Sequence, residues 1–140
     1  MSKSKTRDAI QFAALPCRLD GHGTWQVMLL TSRGTGRWII PKGWPIKGLK
    51  PREVAAREAY EEAGLVGRVA GKTPVGTFHY AKQLLREPLL CEVQVFLLWV
   101  DAQLADWPEK AQRETMWFDM AEAAELVDEG GLAEIMRRLV

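Results

Sequence analysis

The stretch PREVAAREAYEEAGL, residues 51–65, decides how the chain is read. Pro51 suits the first turn of a helix, where its missing N–H has no partner to lose. Gly64 suits the left-handed position that closes many helices. Between them each residue advances roughly 100°, which places Glu58, Glu61 and Glu62 within an arc of roughly 100°. Ala55, Ala56, Ala59 and Ala63 are expected on the opposite side, small enough to let the helix lie close against a sheet. Glu53 and Arg57 form a favourable i,i+4 pair, whereas Glu58–Glu61 and Glu58–Glu62 are like-charge neighbours. They also stand near the helix C-terminus, where the macrodipole disfavours anions. A helix selected for stability alone would carry lysines there. Three clustered carboxylates raise one another's pKa unless a cation neutralises them. Oxygen ligands without histidine or cysteine match a hard divalent ion such as Mg²⁺ or Mn²⁺. A plain solvated acidic face is the competing reading at this stage.

The flanking sequence supplies the sheet. Residues 9–18 (AIQFAALPCR) and 24–31 (TWQVMLLT) read as strands separated by the turn DGHG. RWII, 37–40, reads as a short strand ending at Pro41, followed by a loop over 42–50. Strands are expected over 73–80, 89–100 and 115–118; the middle one contains CEVQVFLLWV, the strongest β signal in the chain. Asp119 and Glu122 resemble a capping box opening a helix over 120–128. LAEIMRRLV, after Gly130 and Gly131, reads as an amphipathic helix. The pattern is that of one α/β domain over residues 9–140, preceded by a flexible basic tail over 1–8.

Composition narrows the function classes. The chain has 140 residues, 47% of them hydrophobic and 26% charged, with a formal net charge of +1. Nothing global steers it toward nucleic acid or an anionic membrane, so an anion site must come from local clustering. VFLLWV, 95–100, is too short to span a bilayer. MSKSKTRD at the start lacks the apolar core of a secretion signal, which points to a cytoplasmic location. Cys17 and Cys91 lie in apolar segments and are expected as buried free thiols rather than a disulfide. No P-loop, dinucleotide fingerprint, zinc-protease helix or nucleophile elbow occurs.

From Gly43 to Leu65 the spacing resembles the Nudix box: glycine, five residues, glutamate, seven residues, then REUxEExGU with U apolar. Gly43 opens it, and Arg57, Glu58, Ala59, Glu61, Glu62, Gly64 and Leu65 fill its second half in register. One position departs: Leu49 stands where the family has its first glutamate. The segments TSRGTGRWIIPKG (31–43), VGTFHY (75–80) and LADWPEKAQRETMWF (104–118) resemble the branch that hydrolyses diphosphoinositol polyphosphates and diadenosine polyphosphates.

The resemblance implies an α/β/α sandwich with a mixed β-sheet and a loop–helix–loop catalytic motif. It implies Mg²⁺, or Mn²⁺, held by Glu58, Glu61, Glu62 and the Gly43 carbonyl, with Arg57 orienting the carboxylates. The implied reaction is attack of water on phosphorus of a phosphate-rich small molecule. Glu58 is the first candidate for general base, with Glu114 ahead of Glu109 as an alternative from outside the box. Ser32, Arg33 and Arg37 are implied as substrate-binding residues, joined by Lys42 and by Lys47 in a basic rim; Trp44 is placed to stack on a base or to pack as a lid. Other nucleoside diphosphate linked substrates (a nucleotide sugar, ADP-ribose, a capped RNA end) and a weakly catalytic phosphate-binding role remain as alternatives. A monomer or homodimer is expected, without membrane or nucleic acid as partner.

Overall fold

A computed structural model of the chain describes residues 9–82 and 87–140; the expected basic tail over 1–8 lies outside the described residues. Among the described residues, eight strands form one mixed sheet. They are β1 (Ile10–Leu19), β2 (Trp25–Thr31), β3 (Trp38–Ile39), β4 (Lys42–Gly43), β5 (Leu65–Val69), β6 (Gly76–Lys82), β7 (Leu89–Gln103) and β8 (Thr115–Asp119). The helices are α1 (Pro51–Ala63), α2 (Met120–Leu126) and α3 (Gly130–Arg138).

β1 and β7 run parallel through the centre, from Ile10 opposite Glu92 to Cys17 opposite Trp99. The far edge of β7 pairs antiparallel with β6 and then with β5. β2 pairs with β1 over only three residues before the two diverge. The segment after β2 fills the divergence: β3 stays on β2, the chain crosses at Ile40–Pro41, and β4 joins β1 with Gly43 opposite Phe12. The Pro41 carbonyl accepts the Ala14 N–H at 3.0 Å, which fixes the crossing. In this way the opening glycine of the acidic motif is attached to the middle of the sheet.

Alternating β1 side chains serve two cores, because successive residues of a strand face opposite ways. Ala13, Leu15 and Cys17 join Val93, Val95 and the apolar sides of α2 and α3. Phe12 and Ala14 join Phe96, Leu98 and the α1 residues Val54, Ala55, Ala59 and Ala63. Helices therefore cover both faces, which is the α/β/α sandwich and explains why β1 reads as an almost unbroken apolar run. Cys17 and Cys91 are buried and unpaired with each other.

The structure corrects several expected boundaries. β5 was absent from the sequence reading: Gly67 and Arg68 interrupt its apolar pattern, and the pairing with β7 shifts register between Val66 and Gly67. A Cβ at Gly67 would overlap the Trp99 carbonyl oxygen. β6 starts at Gly76 rather than 73, since Pro74 has no N–H to donate. Asp119 makes no cap bond to α2, and its carboxylate instead lies 3.4 Å from the Gln26 amide. The reciprocal bonds occur at α1, where Glu53 accepts the Lys50 N–H at 2.8 Å and donates its own N–H to the Lys50 carbonyl.

Gly67→Ala should destabilise the protein by about 1–3 kcal/mol, the usual range for forcing extra volume into a packed position. The check is the urea midpoint, and an unchanged midpoint would show that β5 can shift to admit the methyl group.

Candidate active site

The last two turns of α1 point at β4. Glu62 is buried, at 6% exposure, and lies on the same side as Ala55, Ala59 and Ala63 rather than opposite them. Ala56 is only half-buried. A Cβ on Gly43 would overlap the Glu58 carboxylate, so glycine is what lets the strand approach the helix. Gly64, at φ 70°, ends α1 in the left-handed region, and a Cβ there would enter the Trp107 ring. The helix-end carbonyls find donors in the neighbouring loops: Glu109 N–H to Glu61, Leu104 N–H to Gly64 and the Gln103 amide to Ala63, at 2.9–3.0 Å. Those bonds replace the basic last turn that α1 lacks.

Glu62 is shifted to about 9, first by burial and then by its hydrogen bond with Glu58. Glu58 is also raised, by burial above all, while its interaction with Glu62 pulls the other way. Both carboxyls are thus pushed toward their neutral forms, above all by burial. Arg113, whose side chain is 7% exposed, stands 3.9 Å from Glu62 and donates through Nε to Glu109 at 2.9 Å and through Nη1 to the Thr31 carbonyl at 3.2 Å.

These residues wall a cleft of about 420 Å³ that includes Lys42, Gly43, Trp44, Glu58, Glu62, Glu109 and Arg113. A second lobe of about 560 Å³ shares Arg33, Lys42, Tyr80, Lys82 and Arg113 with it and extends to Ser32, Arg37, Asp128 and Glu129. Burial lowers the pKa of Lys42, whose ammonium lies 5.1 Å over the Tyr80 ring. Ser32 is taken up within its own loop, 2.7 Å from the Thr35 hydroxyl and accepting the Arg37 N–H at 3.0 Å.

The structure brings together Glu58, Glu62, Gly43, Lys42, Arg33 and Trp44, with Ser32 and Arg37 in the second lobe. It leaves others outside. Glu61 turns to Arg57, 3.7 Å away, and neither lines the cleft. Lys47 is exposed and lines neither lobe. Glu114 is exposed, with its backbone N–H on the Thr31 hydroxyl, while Glu109 lines the cleft. Leu49 is half-buried and packs against the core cluster that holds α1. Trp38 packs edge-on against Phe118, and His79 stands 3.8 Å from Glu92. Arg113, Tyr80, Gln11 and Lys82 were not singled out from sequence. A lone arginine ahead of a strand gives no periodic signal, and its burial is visible only in three dimensions.

Among the described residues no three His, Cys, Asp or Glu side chains already converge as a metal site. The donor set nevertheless fits a hard divalent cation. Glu58 and Glu62 line one cleft with raised pKa values that a divalent ion would relieve, and the glycine cradle brings the Gly43 backbone against Glu58.

Residues 10–139 match the family described as NUDIX domain. The chain is 30% identical over 122 residues to "Nudix hydrolase 21, chloroplastic" of Arabidopsis thaliana, covering 86% of this chain and 59% of that protein. It is 31% identical over 107 residues to "Diphosphoinositol polyphosphate phosphohydrolase 3-alpha" of Mus musculus, covering 72% and 58%. The chain thus spans little more than half the length of these relatives. The crystal structure of a C. elegans Ap4A hydrolase shares the fold, with a TM-score of 0.69 at 18% identity and 94% and 95% of the two chains covered.

An unfolded Glu62 would lose its proton near 4.5 and the folded one only near 9, so between those values the folded state binds more protons. Stability therefore falls as pH rises through this window. In EDTA, the melting temperature of the wild type should drop from pH 5 to pH 9 more than that of Glu62→Gln, and Mg²⁺ should narrow the gap. Parallel profiles for the two proteins would rule out the raised Glu62 pKa.

Proposed function

The chain belongs to the Nudix family, and from that premise we propose that it is a divalent-metal-dependent pyrophosphohydrolase acting on a phosphate-rich small molecule. The observation that carries the reading is that Gly43, Glu58 and Glu62 line the same cleft as Arg33, Lys42, Lys82 and Arg113. Buried acids facing a basic wall suit a substrate that is itself polyanionic and arrives with a cation. A dinucleoside polyphosphate or a diphosphoinositol polyphosphate is the substrate class, as the mouse relative's name and the sequence resemblance suggest.

Glu58, Glu62 and the Gly43 carbonyl would hold Mg²⁺ or Mn²⁺, and Glu61, paired with Arg57, is the further carboxylate that the resemblance implies. When bound, that ion supplies charge neutralisation of the phosphates and acidification of water. The protein's own groups do the rest. Arg33 and Lys42 hold the phosphate chain in line, and Arg113 anchors Glu109 through one carboxylate oxygen. Its other oxygen, without a described partner, takes the proton of the attacking water. Arg57, paired with Glu61, steadies the outer side of the helix rather than the reacting atoms.

The decisive assay is product analysis with diadenosine pentaphosphate, diphosphoinositol pentakisphosphate and ADP-ribose, each with and without Mg²⁺. Cleavage of either polyphosphate only with the metal is expected; equal turnover in EDTA would sink the proposal. Glu109→Gln should lower kcat by about 10²–10⁴-fold, the usual worth of a positioned base, with KM little changed. Glu114→Gln should remain near wild type, and the opposite ranking would return the base to Glu114. Arg33→Ala should raise KM more for longer phosphate chains, and an equal rise for short and long chains would demote it to a scaffold residue.

A further inference from the structure

β2 and β8 pair antiparallel as far as Leu30 opposite Thr115, and the register continues past the strands. The Thr31 N–H donates to the Glu114 carbonyl at 3.0 Å, and the Glu114 N–H to the Thr31 hydroxyl at 2.9 Å. Carried on one for one, that register sets Arg33 opposite Gln112. There the Arg33 Nη1 donates to the Gln112 amide oxygen at 2.9 Å. Gln112 ends the single 3-10 turn Lys110–Gln112, which Glu109 opens, and its N–H closes the turn on the Glu109 carbonyl at 2.9 Å. One turn of chain thus carries both a carboxylate that lines the cleft and the amide that holds Arg33. Gln112 itself is exposed and lines neither lobe.

The partner of Arg33 is chemically distinct. Among the described residues, three arginines line the two lobes. Arg37 is paired with Asp128 at 3.6 Å and Arg113 with Glu109 at 2.9 Å, whereas Arg33 is bonded to a neutral amide. An amide acceptor fixes a guanidinium without neutralising it. It also engages one end of the fork and leaves Nε and Nη2 to give a phosphate two parallel bonds. We propose that Gln112 is a positioning residue, which holds the Arg33 guanidinium charged and oriented at the cleft, at a span from Glu109 set by one turn of backbone. This rests on the hydrolase reading, in which Arg33 grips the phosphate chain and Glu109 serves the attacking water. A long side chain loses rotamer freedom when it is fixed, so an arginine already held takes a phosphate at lower entropic cost.

The test combines two variants of Gln112 with Arg33→Ala, read by calorimetric binding of inorganic tripolyphosphate in EDTA and by kcat/KM for diadenosine pentaphosphate in Mg²⁺. Gln112→Met keeps the length of the side chain and removes the acceptor. It should weaken tripolyphosphate binding by about 3–10-fold, the usual cost of ordering one long side chain on binding. kcat/KM should fall at least as far. In the Arg33→Ala background the same change should cost less than about twofold, because the two side chains act as a pair. Gln112→Glu keeps an acceptor but adds a carboxylate that competes with phosphate for the guanidinium, so it should weaken binding further than Gln112→Met. Equal losses with and without Arg33 would mark Gln112 as a surface residue of purely structural worth and overturn the inference. So would unchanged binding in Gln112→Met, or a wild type that binds no tripolyphosphate. If the binding loss depends on Arg33 but neither diadenosine pentaphosphate nor diphosphoinositol pentakisphosphate is cleaved with Mg²⁺, the hydrolase reading fails while the Gln112 anchor stands.

Discussion

The close approach of Gly43 to Glu58 is the constraint on which the site depends. It needs three things at once: β4 annexed to β1 through the Pro41 crossing, a helix lying low on the sheet, and no side chain at residue 43. Ala55, Ala59 and Ala63 supply the second condition, since they are fully buried between α1 and the sheet. The same closeness buries Glu62 with the alanines. Hydrophobic packing thus presses a carboxylate into a place where its charge is costly.

The fold tolerates this by proton and by arginine. Removing an ion from water costs several kcal/mol even after relaxation, so burial favours the neutral carboxyl at Glu62 without a cation. Arg113 offsets part of what remains, and Glu109 and the Thr31 carbonyl hold that arginine in place. Its position comes from the loop that also covers the end of α1: Trp107 lies over Gly64, and the Glu109 N–H meets the Glu61 carbonyl. One loop therefore closes the helix and furnishes the wall of the cleft. Structure and prospective chemistry share the same hydrogen bonds.

Much of this was legible in sequence because it is local or periodic. Pro51, Gly64 and the spacing of the glutamates define α1, and the apolar runs define β1, β2 and β7. Glu58 and Glu62 stood out because their placement violates helix electrostatics. The features that escaped are those decided by tertiary contact. β5 hides behind a glycine that only the Trp99 carbonyl explains, and Arg113 looks like any loop arginine until Thr31 and Glu62 meet it. Glu61 and Glu62 are neighbours with the same chemistry, yet about 100° of helical turn sends one to Arg57 and the other into the core. Leu49, a gap in the motif on paper, is a packing residue in space.

The parallel pairing of β1 with β7 has a kinetic consequence. Residue 10 meets residue 92 and residue 26 meets residue 119, so the sheet joins segments from opposite ends of the chain. Such a high contact order makes folding slow, because the entropy of closing long loops is spent before any pairing repays it. During synthesis, α1 emerges from the ribosome well before β7 exists to support β1. Its glutamates then stand in water as an ordinary acidic segment, and the buried pair comes into being only when the last strands arrive. Assembly of the site is a late event in the life of the nascent chain.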